Sequence, residues 1–177
     1  MTEGGVILVE DSITEVKVSK VDIADGKELE GAHIQIIDKD GNVVEEWDST
    51  KEVHEVTGLH TGETYTLKET VAPLGYTIAT ETTFEIDATG KVTTTGTMTE
   101  GGVILVEDSI TEVKVSKVDI ADGKELEGAH IQIIDKNGNV VEEWDSTKEV
   151  HEVTGLHTGE TYTLKETVAP LGLHDCD

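Results

Sequence analysis

Apolar and polar residues alternate with a period of two along most of this chain, in short runs broken by turn residues. The pattern predicts strands over 15–22, 32–38, 43–48, 52–56, 64–71, 76–87 and 103–108. Turn signals separate them at Asp25-Gly26, Asp40-Gly41-Asn42, Gly58, Thr61-Gly62, Pro73–Gly75 and Thr89-Gly90. About seven strands in roughly 95 residues read as an all-β, Greek-key-like sandwich.

The pattern then starts again. Residues 1–75 recur as 98–172 with a single difference, Asp40 against Asn137. Met1 matches Met98, an internal residue of the repeat, so the chain is expected to begin in mid-unit. The organisation expected is an orphan last strand in residues 1–11, a complete sandwich over 12–111 and a truncated second copy over 112–177. Few residues separate Asp108 from the next predicted strand near Glu112, which predicts a rod of tandem domains without a flexible linker. Val6–Asp11 is identical to Val103–Asp108, so each end could supply part of what the other lacks and Asp11 could in principle reach Lys117; with the strand matching Tyr76–Asp87 missing, this is expected to be inefficient and Lys117 to stay a free amine.

Composition narrows the function. The net charge is −25, and all 13 bases are lysine. Phosphate is repelled by such a surface, which argues against nucleic acid and against an anionic membrane surface. No stretch approaches the roughly 20 apolar residues that a spanning helix needs. A single cysteine, Cys176, rules out a disulfide framework within one chain.

Two charged residues break the inside/outside pattern. In residues 15–22, Val16, Val18 and Lys20 share a face; in residues 64–71, Tyr65, Leu67, Glu69 and Val71 do. Lys20 and Glu69 are therefore aimed at the core. A buried charge must be paired or lose its charge. One reading is a buried salt bridge, or a strand-end lysine that reaches water. The other is chemistry: a desolvated lysine becomes a nucleophilic amine, and a desolvated glutamate a proton-carrying acid.

Val18-Ser19-Lys20-Val21-Asp22, Glu28-Leu29-Glu30-Gly31-Ala32, Gly58-Leu59 and the run Tyr65-Thr66-Leu67-Lys68-Glu69-Thr70-Val71-Ala72-Pro73-Leu74-Gly75-Tyr76 together resemble the Cna protein B-type (CnaB) domain of Gram-positive surface proteins. The resemblance covers the whole unit in order. It implies a prealbumin- or Ig-like sandwich in a pilin or adhesin stalk, secreted to the cell-wall surface. It also implies an intramolecular isopeptide bond, with Lys20 as nucleophile and Glu69 as the catalytic acid. The third partner is expected in Val103–Asp108, at Asp108, or at Glu107 if the register slips by one. In the second copy Lys117 and Glu166 match, without an in-unit partner.

Nothing else in the chain points to chemistry. Asp38-Lys39-Asp40-Gly41-Asn42 fails the calcium-loop pattern and reads as a hairpin turn. His33, His54 and His60 lack metal spacing, and His174 with Cys176 lacks two further ligands. Trp47, Tyr65, Tyr76 and Phe84 read as core aromatics. No cofactor and no metal are expected, and no residue set supports an enzyme acting on a diffusing substrate. The expected partners are neighbouring repeats. The alternative reading is an adhesive module whose loops grip a host extracellular protein or glycan.

Overall fold

The computed structural model describes residues 11–170. The expected strand over residues 6–11 and the tail with His174 and Cys176 lie outside the described residues, apart from Asp11. Among the described residues all regular structure is β, in two compact units.

The first unit takes the chain up to Ala72 and from Ile78 to Asp108. Its strands are β1 (Glu15–Asp22), β2 (His33–Ile37), β3 (Val43–Asp48), β4 (His54–Thr57), β5 (Thr64–Val71), β6 (Thr82–Ile86), β7 (Val92–Thr94), β8 (Thr97–Met98) and β9 (Val103–Asp108). They form two sheets, ordered β4-β1-β9-β8 and β3-β2-β5-β6-β7. The β1–β9 pair is parallel, and the other pairs are antiparallel. The inward positions of both sheets, among them Val16, Ile34, Leu67, Phe84 and Ile104, make one buried cluster. Tyr65 and Phe84 face each other across β5 and β6 with stacked rings.

Two strands escaped the sequence pattern. Residues 91–99 are mostly threonine with a single valine, so they show no apolar alternation. Threonine is nonetheless β-branched and suits a pleated surface, and β7 and β8 form there. The strand expected over 76–87 shrinks to β6: Tyr76 and Thr77 belong to the second unit, and residues 78–81 form no strand. Tyr76 goes with it and is no part of the first unit's core. The turn after β2 is a hairpin turn: Asp38 Oδ1 accepts the backbone N–H of Asp40 and Asn42, and Gly41 supplies the left-handed residue at φ 86°.

β1 departs from simple alternation at its C-terminal end, where Ser19, Lys20 and Val21 are all buried. The loop after β1 folds back over its outer face. Leu29 N–H donates to Lys20 O at 2.7 Å, Val21 bridges to Glu28, and Ser19 Oγ donates to Glu28 Oε1. The site-bearing end of β1 is thereby closed on both sides.

The second unit contains β10 (Glu112–Val115), β11 (His130–Ile134), β12 (Val140–Asp145), β13 (His151–Thr154) and β14 (Thr163–Val168). β10 pairs with β13, and the order β12-β11-β14 forms the other sheet. The described residues hold no counterpart of β6–β9 here. Identical side chains therefore have different surroundings. Leu67 is 2% exposed and Leu164 is 56%; Val16 is 1% exposed and Val113 is 42%.

Candidate functional site

Three ionisable side chains meet inside the first unit. Lys20 comes from β1, Asp108 from the last residue of β9 and Glu69 from β5 of the opposite sheet. Their residues are 2%, 2% and 4% exposed. The parallel register pairs Lys20 with Val106 and Asp22 with Asp108. Lys20 and Asp108 therefore lie on adjacent strands, with Asp108 two residues further along. A long side chain spans that offset easily. Lys20 Nζ contacts Asp108 Oδ1, lies 3.2 Å from Glu69 Oε1 and donates to Val106 O at 3.4 Å.

The contact with Asp108 is a close ion pair, and both Asp108 oxygens are buried, with the Lys20 amine and the Glu69 carboxyl group as their polar neighbours. Glu69 is held differently. Its Oε2 accepts the backbone N–H of Ala79 at 2.5 Å, while Oε1 faces the amine.

Burial governs the electrostatics. Desolvation pushes Glu69 up to about 7; the Ala79 N–H and the Lys20 charge oppose the rise, and Asp108 adds to it. Desolvation also raises Asp108 above the ordinary aspartate range, against the pull of Lys20. Two carboxyl groups around one amine titrate as a set, and a proton shared among them lowers the charge of a dry site. A cleft of about 220 Å³ borders the site, lined in part by Leu67, Glu69, Ala79, Leu105 and Val106.

Glu107, the alternative partner, lies on the other face of β9, where its Oε2 accepts from Thr97 Oγ1 at 2.7 Å. In the second unit Lys117 Nζ is 2.9 Å from Glu166 Oε2, but each side chain is 28% exposed. The same two residue types make a semi-open ion pair there and a closed triad with Asp108 in the first unit. The sequence pattern did not single out Ala79. Its contribution is a backbone N–H, which no residue type announces.

The histidines take part in none of this. His33 bonds Asp48 across β2 and β3, and that carboxylate raises its pKa. His54 stacks on Trp47 with ring centroids 4.1 Å apart. Among the described residues no His/Cys/Asp/Glu group is placed to hold a metal ion, and no helix is long and apolar enough to cross a membrane.

The family profile of SpaA, a prealbumin-like fold domain, matches residues 14–100 and 111–175. No curated protein matches. Among solved structures, the Bacillus anthracis TIE protein is 32% identical, with a TM-score of 0.48, over 89% of this chain and 29% of that one. A Streptococcal ancillary pilin is 23% identical, with a TM-score of 0.46, over 95% of this chain and 57% of that one. The shaft pilin SpaA from Lactobacillus rhamnosus GG is 14% identical, with a TM-score of 0.40, over 91% of this chain and 90% of that one. This chain thus spans less than a third of the TIE protein.

Proposed function

The chain belongs to the SpaA prealbumin-like fold domain family, and from that premise we propose that it is a structural segment of a bacterial surface stalk, cross-linked by an isopeptide bond between Lys20 and Asp108. One observation carries the reading: a buried amine in contact with a buried carboxylate, beside a second carboxyl group able to hold a proton near neutral pH. One amine set between two carboxyl groups in a dry site is a costly arrangement for charges that stay separate. A proton passed from the amine to the carboxylate leaves a neutral nucleophile beside a neutral, attackable carboxyl group. The resemblance to CnaB domains points the same way.

The chemistry balances without a cofactor. The Lys20 ammonium gives up a proton to the Asp108 carboxylate it touches, and Nζ attacks Cγ of the now neutral carboxyl group. A C–N bond forms, a C–O bond breaks, and the carboxyl oxygen leaves as water. Glu69 is the proton carrier: in its neutral form it protonates the departing oxygen, and it takes a proton from the attacking nitrogen. The Ala79 N–H fixes the Glu69 carboxyl group so that its other oxygen faces Lys20. The cleft beside Glu69 is the exit for the water.

The use is mechanical. β1 is the first strand of the unit and β9 the last, so a bond from Lys20 to Asp108 carries tension through covalent bonds. It closes a loop of about 90 residues, which by the loop-entropy argument for disulfides contributes roughly 4–5 kcal/mol. For a small domain without disulfides that is a large share of its stability.

Intact mass tests the proposal. A bonded chain is lighter than its sequence mass by one water, and its tryptic map contains a branched peptide joining β1 to β9. Full mass in well-folded protein leaves only a buried ion pair.

A further inference from the structure

The segment Pro73-Leu74-Gly75-Tyr76-Thr77 has a binding place of its own, and that place occurs twice in this chain. In the second unit the segment runs beside Ser109–Thr111. Thr111 N–H donates to Gly75 O at 2.9 Å, and Thr77 N–H donates to Ser109 O at 2.8 Å. Tyr76 bridges to Ile110, and Thr111 Oγ1 adds a bond to Gly75 O at 3.2 Å. The contact is close enough to exclude a side chain at Gly75: a Cβ built there would lie 2.9 Å from Gly155 O. Gly75 also has φ 83°, so two independent constraints require glycine.

The receiving surface consists of Ser109–Thr111 and the turn at Gly155-Leu156. Its shape is fixed by Thr111 Oγ1 donating to Leu156 O at 2.6 Å and by Gly155 N–H donating to Thr111 O at 3.0 Å. The first unit has the same residues at Ser12–Thr14 and Gly58-Leu59, held by the same two bonds. Thr14 Oγ1 donates to Leu59 O at 2.6 Å, and Gly58 N–H donates to Thr14 O at 3.1 Å. Among the described residues the surface is preformed in both units and covered in one. Ile13 is 70% exposed against 46% for Ile110, and Gly58 is exposed where Gly155 is half-buried.

We propose that the surface made by Ser12–Thr14 and Gly58-Leu59 is a docking site for the Pro-Leu-Gly-Tyr-Thr loop of another repeat set ahead of it. Recognition is by backbone. Extended chain at residues 12–14 offers an edge, the loop adds to it by strand-like hydrogen bonds, and a Gly-on-Gly approach sets the fit. The preference is for a glycine-bearing loop of this kind, since any side chain at the glycine meets backbone. The idea does not depend on the Lys20–Asp108 bond.

The test uses the full chain carrying one additional copy of residues 12–108 joined ahead of Ser12, with amide hydrogen exchange read residue by residue. In the unextended chain Thr111 is the internal reference for a docked amide, and Gly75→Val accelerates its exchange. In the extended chain Thr14 exchange slows roughly five- to tenfold, the range contributed by one ordinary net hydrogen bond. Valine at the added copy's equivalent of Gly75 abolishes the slowing. Exchange of Ile34 and Ile104 in the resident unit stays unchanged and reports an intact fold. Three results overturn the proposal: Thr14 unchanged in the extended chain, Thr14 slowed equally by the valine-bearing loop, or Thr111 indifferent to Gly75→Val.

Discussion

Lys20 and Asp108 sit on neighbouring parallel strands two rungs apart, Lys20 level with Val106 and Asp108 level with Asp22. A parallel pair has evenly spaced, slanted hydrogen bonds, so the offset between the two side chains is set along the whole six-residue ladder. The amine reaches forward along the strand to the carboxylate and needs no bend in either backbone. With the outer face of β1 closed by the loop carrying Glu28, the pair is dry from both sides.

Asp108→Asn separates condensation from salt-bridge formation. An amide carbon is still an electrophile, so the variant is expected to cross-link with loss of ammonia where the parent loses water. Asp108→Ala removes the electrophile. It leaves a buried amine facing Glu69 alone and is expected to lose the cross-link contribution of roughly 4–5 kcal/mol, with the burial of an incompletely compensated charge added to it. Intact mass and urea unfolding of the three proteins report the two effects. Asn and Ala variants of equal mass change and equal stability would contradict the assignment.

pH acts through Glu69, pushed up to about 7. Its folded value lies above its unfolded one, so its contribution to the stability of the unbonded fold is fully present below the unfolded value near 4.5. That contribution is lost as pH rises through about 7. Asp108, also raised, acts in the same direction. The rate follows the protonated fraction of Glu69 and is expected to fall about tenfold per unit above pH 7. A chain assembled under denaturing conditions, refolded at set pH and sampled by mass reports this rate. A rate rising through pH 8 assigns the proton carrier elsewhere. Glu69→Gln is expected to stay folded and unbonded at every pH.

The candidate site was legible in the sequence because polar residues stood where alternation demanded apolar ones. Lys20 after Val16 and Val18, and Glu69 after Tyr65 and Leu67, needed only a period of two. Asp108 was harder, since Val103–Val106 is apolar on both faces and no alternation chooses between Glu107 and Asp108. The choice of face follows from the parallel register with β1, a long-range pairing that no local pattern encodes. The threonine strands β7 and β8 were hidden for a related reason: they lie toward sheet edges, where little apolar burial is required. The place of Pro73–Thr77 in the second unit was invisible because backbone atoms make its bonds.

Leu67 and Leu164 have the same neighbours in sequence and different ones in space, 2% against 56% exposed. Leu67→Ala is expected to cost about 2–5 kcal/mol, the usual range for a buried leucine. Leu164→Ala is expected to cost no more than about 0.5 kcal/mol, as for other surface changes. Unfolding followed by hydrogen exchange within each unit reads the two separately. Equal costs would mean that Leu164 is buried in solution.

Lys20 and Lys117 offer the sharpest contrast, because each is a lysine facing a glutamate in the same local sequence. Lys20 is enclosed with Glu69 and Asp108; Lys117 makes one 2.9 Å contact with Glu166 and keeps 28% of its side chain open to solvent. The Lys117 side chain keeps contact with solvent, so it lacks the enclosure that surrounds Lys20. A solvated pair is also screened by salt. An amine-acylating reagent applied to the folded chain is therefore expected to label Lys117 and to spare Lys20. Acylation of Lys117 is expected to quicken with added salt as its contact with Glu166 weakens. In the unfolded chain Lys117 still reacts. Lys20 remains unreactive there if its nitrogen is already an amide, and becomes reactive if it was merely buried. Two outcomes would break this account: protection of Lys117 equal to that of Lys20, or a branched peptide joining Lys117 to Asp11, which would mean that a strand from residues 6–11 completes the second unit and dries its amine.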